Sequence, residues 1–248
     1  MFSLVGWTES QDSAVLVNVA ALADPHIRVN GDDVIVPAEI NNLVMAYGLG
    51  PNLTRIQLVS PSLRRVLNPE ISPVDIAAEP TFPTPLVDWR ANPIQLDPEE
   101  ALDAQAAEDG AGATRATVLA WLADKAIAPV QGDIRPTRAT NTTTLVANAW
   151  TNGALTFADQ LPAGRYQAVG GRFFSAGLQA WRLVFVGYTW RPGAIGCDTA
   201  ADPDDRTFRA GNFGVWGEFN HNTPPTVDFL SNSADTSQIG VLDLIKIS

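Results

Sequence analysis

One cysteine (Cys197), two histidines (His26 and His221) and two lysines (Lys125 and Lys246) are all that this 248-residue chain has of those types. A single thiol excludes an intrachain disulfide and a multi-cysteine zinc site. The histidines lie towards opposite ends of the chain, and no GxSxG or HExxH pattern accompanies them, so both read as ordinary turn or surface residues. The cations are otherwise arginines, scattered singly except for Arg64-Arg65, and the net charge is -11. Duplex nucleic acid needs clustered Lys and Arg to neutralise its phosphates, so a direct duplex-binding role is not expected. No apolar run approaches the roughly 18 residues of a membrane-spanning helix. The opening MFSLVGWTES has no basic segment ahead of an apolar core, so no secretory signal is expected and the chain reads as soluble and made in a cytoplasm. Charged residues make up 17% against 46% hydrophobic. That is lean for a monomer that must solvate its whole surface, so partners are expected to cover part of it.

Alternating apolar patterns dominate what is present. Val15, Val17 and Val19 alternate with Ala14, Leu16 and Asn18, which reads as a strand. Asn30-Gly31 between β-branched runs is a strong hairpin signal, and Leu53 to Ser60 alternates again. The run Ala180 to Trp190 places Trp181, Leu183 and Phe185 on one face of an extended strand and Val184, Val186, Tyr188 and Trp190 on the other. Ile239 to Ile247 is likewise apolar on both faces, so these two strands are expected to be covered twice, the second time by another layer or a neighbouring subunit. The expected fold class is all-β: one antiparallel β-sandwich of jelly-roll type over 1–248, interrupted by a helical insertion.

Two segments stand apart. Prolines recur at 61, 69, 73, 80, 83, 85, 93 and 98, which reads 61–97 as an extended clamp lying over the domain or over a neighbour. Asp97-Pro98-Glu99-Glu100 resembles a helix start, and the spacing predicts helices to about Glu108 and over Ala113 to Ala128, making 98–128 the helical insertion. A short helix is also expected within Ala38 to Tyr47.

Candidate chemistry is sparse. Asp198, Asp202, Asp204 and Asp205 gather four carboxylates in one loop, readable as a solvated acidic turn or as a weak Ca²⁺ site without the EF-hand spacing. Arg64 and Arg65 read as one side of a structural or intersubunit ion pair. The seven tryptophans read as core and interface residues, or as a sugar-stacking platform. Trp181, Tyr188, Trp190, Phe82 and Trp89, with the two arginines, are the expected interface set. No catalytic residue and no cofactor are expected.

Leu161-Pro-Ala-Gly-Arg-Tyr, Arg182-Leu-Val-Phe, Arg191-Pro-Gly, Gly211-Asn-Phe-Gly-Val-Trp-Gly-Glu-Phe and Val241-Leu-Asp-Leu-Ile together give roughly the last hundred residues the look of jelly-roll coat proteins of tailless icosahedral viruses of bacteria and archaea. The resemblance implies a non-enzymatic, self-assembling subunit: a homo-oligomer, trimer or higher, forming capsomers and a shell with other virion proteins. The virion would be its location, and an inner membrane or a receptor glycan a further contact. Met1 to Asp24 lacks the basic arm that many RNA-virus coats use, which points to a DNA genome. Two other classes stay open at this stage. One is a carbohydrate- or receptor-binding sandwich of a spike or appendage, and the other is an enzyme without a recognised signature.

Overall fold

The computed structural model describes residues 1–73, 87–110, 112–198, 210–211 and 214–248. These form two compact units, one within 2–126 and one from 127 to the C-terminus. Both are built almost wholly of antiparallel strands.

The first unit comprises β1 (Phe2–Gln11), β2 (Val17–Val19), β3 (Val29–Asn30), β4 (Asp33–Ile35), β5 (Asn42–Leu49), β6 (Leu53–Val59), a single helical turn α1 (Pro61–Arg64), β7 (Glu70–Ile71), β8 (Val87–Asp88), β9 (Ile94–Gln95), β10 (Ala101–Glu108) and β11 (Thr114–Ala123). One sheet runs β1-β11-β5-β8, with β9 also on β5. The other runs β3-β4-β10-β6-β7, with β2 also on β10. Grouping β2 with the β3–β4 hairpin, and β8 with β9, gives eight positions in chain order. The sheets are then 1-8-3-6 and 2-7-4-5, which is the strand order of a jelly roll.

The second unit repeats that order. Its strands are β12 (Arg135–Asn141), β13 (Trp150–Ala154), β14 (Thr156–Phe157), β15 (Arg165–Phe174), β16 (Leu178–Val184), β17 (Gly193–Ile195), β18 (Ala210–Gly211), β19 (Gly217–Asn220), β20 (Thr226–Ser231) and β21 (Gln238–Lys246). The sheets are β12-β21-β15, with β18 and β19 both on β15, and β13-β20-β16-β17; β14 adds an edge outside β12. With β18 and β19 as position six, these are again 1-8-3-6 and 2-7-4-5. The expected single sandwich is therefore two jelly rolls in tandem, and no sequence repeat announces the second.

Each unit closes its own core. In the first, Val5 and Trp7 of β1, Val118 and Leu122 of β11, Ile56 and Leu58 of β6 and Leu102, Ala104 and Ala106 of β10 meet from the two sheets. In the second, Trp181 of β16 packs edge-on to Phe173 of β15 at 4.8 Å and lies 5.1 Å from Trp216, while Phe229 of β20 meets Phe173 at 5.3 Å. Such aromatic contacts bind one sheet to the other through large buried areas.

The expected helical insertion at 98–128 is replaced by β10 and β11, central strands of the two sheets. Asp97-Pro98-Glu99-Glu100 is a turn: Glu100 N donates to Asp97 O, and Glu99 holds φ 62, which no α-helix admits. Strand β11 is buried on both faces, with Val118, Ala120 and Leu122 in the core and Leu119, Trp121 and Ala123 fully buried opposite. A strand covered twice has no polar beat, so its residues also fit a buried helical stripe. The helix expected within Ala38 to Tyr47 is a 3-10 turn, Ala38–Ile40, that leads into β5.

The described ends of the expected clamp, 61–73 and 87–97, supply α1 and the short strands β7, β8 and β9. Proline is tolerated at such sheet edges, where a missing N–H breaks no inner ladder. Residues 74–86, including Phe82, lie outside the described residues. The Asn-Gly hairpin forms one residue later than its dipeptide suggests. Asn30 pairs with Asp33, and Gly31 at φ 64 takes the first central turn position, the place that a type II′ turn gives to glycine.

Candidate functional site

Surface features fall on the connectors at the two ends of each sandwich. Successive antiparallel strands alternate direction, so the connector from position 1 to 2 and the one from 4 to 5 lie at opposite ends. Among the described residues, the five most exposed large hydrophobic side chains use these two connectors in both units. Val15 (69% exposed) and Val146 (59%) lie between positions 1 and 2, while Val66 (90%), Leu67 (78%) and Val186 (82%) lie between positions 4 and 5. Exposed aliphatic side chains thus stand at equivalent connectors of the two units. Alternation along Ala180 to Trp190 places Val186 on a covered face. In the structure β16 ends at Val184, and Gly187 at φ 82 turns the chain back.

The expected interface residues separate. Trp181 is fully buried in the core of its own unit, so it presents nothing to a partner. Tyr188 and Trp190 lie half-buried past the end of β16, edge to face at 4.5 Å, and the Trp190 indole N–H donates to Trp216 O. Trp89 is half-buried against the first core. Arg65 forms an exposed ion pair with Asp97 within the same unit, and Arg64 is exposed.

Only Asp198 of the acidic loop is described. It is buried and its Oδ1 accepts from Gly177 N at 3.1 Å, which gives it a structural task; Asp202, Asp204 and Asp205 lie outside the described residues. Among the described residues no group of three or more His, Cys, Asp and Glu is arranged to hold a metal. His26 is exposed, and His221 Nδ1 accepts from Gly164 N at 3.3 Å. Cys197 is buried and points its thiol at Asp198 O.

Two carboxylate arrangements escaped sequence reasoning because they are formed by strand register and turn geometry. Glu100 Oε1 accepts from the hydroxyls of Ser60 and Ser62 and from Asp97 N, and its Oε2 accepts from Ser62 N at 2.8 Å, which fastens α1 to the turn before β10. On the same sheet Leu102 pairs with Val34, and the next step of that register sets Asp103 of β10 opposite Asp33 of β4. Burial first, then the hydrogen bond and charge of Asp33, push the Asp103 carboxyl up to about 7, with Asp32 adding to the rise and Arg64 opposing it.

No family model matches the sequence, and no curated protein matches it. Among solved structures the chain is similar to the major capsid protein P2 from bacteriophage PM2, at 11% sequence identity and a TM-score of 0.23, over 100% of this chain and 98% of that one. Strand order, and not this likeness, defines the fold described above.

Proposed function

We propose that the chain is a structural coat subunit that assembles with copies of itself into capsomers and an icosahedral shell. The observation that carries this reading is the jelly-roll order 1-8-3-6 and 2-7-4-5 occurring twice in one chain. Each sandwich closes its own core and leaves its end connectors for contacts, as a building block requires. Closed rings are the usual outcome of self-association. The exposed aliphatics of the 1–2 and 4–5 connectors are the side chains available for contacts between chains. The role involves no catalytic step. Its partners are further copies and other virion proteins, with an inner membrane or a receptor glycan as a further contact, and its place is the virion.

The test is light scattering of the purified chain across a wide concentration range, with negative-stain microscopy of the same sample. Trimers, rings or shells are the expected result; a monodisperse monomer throughout overturns the reading. Jelly rolls also serve as lectins, and the half-buried Tyr188–Trp190 pair is the feature that favours a carbohydrate-binding alternative. A monomer that binds a glycan, with binding lost on Tyr188→Ala, would establish that alternative instead.

A further inference from the structure

One end of the first unit gathers the β1–β2, β5–β6 and β10–β11 connectors, as the bonds Glu108 N to Ser13 O and Asp109 N to Asn52 O show. The interior at this end is polar. Glu108 closes β10 on the same face as Leu102, Ala104 and Ala106, opposite Leu53, and all four are core residues. Thr114 opens β11 on the face of Ala116 and Val118, also core residues. Strands β10 and β11 are consecutive in chain order but belong to opposite sheets, so Glu108 and Thr114 enter the same end of the sandwich from its two sides.

Glu108 is 1% exposed and Thr114 5%. Neither carboxylate oxygen of Glu108, nor the hydroxyl of Thr114, has a hydrogen-bond partner among the described residues. An ionised carboxylate placed in an apolar interior without a partner carries a large desolvation cost, which folded proteins offset with a counter-charge or with hydrogen-bond donors. The side-chain amide of Gln11, which is opposite Thr114 in the β1–β11 ladder, donates to Asn18 O and bonds neither Glu108 nor Thr114. Three oxygen atoms with one negative charge among them form a hard donor set that lacks imidazole and thiolate. They balance a monovalent ion, whereas a divalent ion would leave surplus positive charge in the interior and ordinarily recruits more carboxylates.

We propose that Glu108 and Thr114 hold an alkali cation, Na⁺ or K⁺, at the connector end of the first jelly roll, and that this ion joins β10 to β11 across the two sheets. Backbone carbonyls of the adjoining connectors and water complete its shell.

The experiment is thermal unfolding of the full chain, dialysed into choline chloride and then titrated with NaCl or KCl at constant ionic strength, so that screening is held fixed and only ion identity changes. The expected result is a saturable rise in melting temperature with Na⁺ or K⁺. The rise should be absent in Glu108→Gln, which in choline should melt at or above the wild type because no interior charge remains. Thr114→Val, which keeps the shape of the side chain, should need about tenfold more salt for the same rise through loss of one ligand worth about 1.4 kcal/mol. It also serves if Glu108→Gln does not fold. Equal melting temperatures in choline, Na⁺ and K⁺ overturn the proposal by showing the carboxyl to be satisfied by a proton or by water. A rise with CaCl₂ alone overturns the assignment to a monovalent ion.

Discussion

Arg182 Nε donates to Asp228 Oδ2 at 2.9 Å from a position with no solvent exposure, and the same guanidinium stands 4.1 Å from the centre of the Trp150 ring. The three residues come from β16, β20 and β13, adjacent strands of one sheet, and Arg182 is directly opposite Asp228 in the ladder. Asn152 of β13 donates to the other carboxylate oxygen at 2.8 Å. A buried ion pair adds little relative to a well-packed apolar replacement, but breaking it leaves one charge uncompensated. Arg182→Met and Asp228→Leu should each therefore destabilise the second unit by about 3–5 kcal/mol. The double variant should recover much of that loss. Urea unfolding of the three variants checks this, and additive losses in the double variant would show that the pair is not the reason for the cost.

Asp103 gives a pH dependence whose sign is determined. Its carboxyl titrates near 3.8 in the unfolded chain and is raised to about 7 in the fold. The folded state thus holds a proton that the unfolded state has released, and stability from this group is full below about 3.8 and lost as pH rises to about 7. Asp103→Asn keeps a neutral side chain at every pH. Its melting temperature minus that of the wild type should grow between pH 4 and 8 and then level. Taking the difference cancels the carboxylates held low in the fold, such as Asp88 beside Arg90. A difference that stays flat across this range would mean that Asp33 and Asp103 do not share a proton.

Local signals in the sequence were readable where one face of a strand is wet or a turn demands a special backbone. The β3–β4 hairpin and β6 were expected from Asn30-Gly31 and from the alternation after Leu53, and both are present. What failed was periodicity where both faces are buried. Leu119, Trp121 and Ala123 occupy the non-core face of β11, yet they are as apolar as the core face, so strand and helix templates match equally well. In β10, Ala104, Ala106 and Ala107 add helix propensity to a pattern whose true beat is Leu102, Ala104 and Ala106. Tertiary pairing on both sides decides such segments. The tandem arrangement was illegible for a different reason. Strand order is a property of long-range pairing, and two chains of alternating residues can share it without sharing residues. The facing of Asp33 and Asp103 was hidden for the same reason, since it is set by register across strands.

Gly177 closes the β15–β16 turn at φ 65, where an added Cβ would stand 2.4 Å from Ser233 Oγ and closer still to Asn232 Oδ1. Asn232 N also donates to Gly177 O, and Gly177 N to Asp198. Gly177→Ala should therefore destabilise the second unit by more than the roughly 1 kcal/mol of the left-handed backbone alone. Asn232→Ala should relieve part of the clash and so restore part of the loss in the double variant. Gly31→Ala is the control. It shares the positive φ at 64 but meets no atom within 4 Å, so it should show the backbone cost only.

The exposed aliphatics give the most direct test of assembly. Val66 and Leu67 follow α1 in the first unit, and Val186 follows β16 in the second, both at the 4–5 connector. None contributes to a core at these exposures, so Val66→Asp with Leu67→Asp, and separately Val186→Asp, should leave the unfolding midpoint within about 0.5 kcal/mol of the wild type. A charge placed in an apolar contact between chains must be desolvated without a partner, which disfavours association by several kcal/mol and should shift the sample to smaller species in light scattering. The matching change at the opposite end, Val15→Asp with Val146→Asp, separates the two ends of the sandwich. If only the 4–5 connector variants dissociate, contacts between chains concentrate at that end in both units. If all three variants assemble like the wild type, these connectors are solvent-facing tips and association runs through the sheet edges instead.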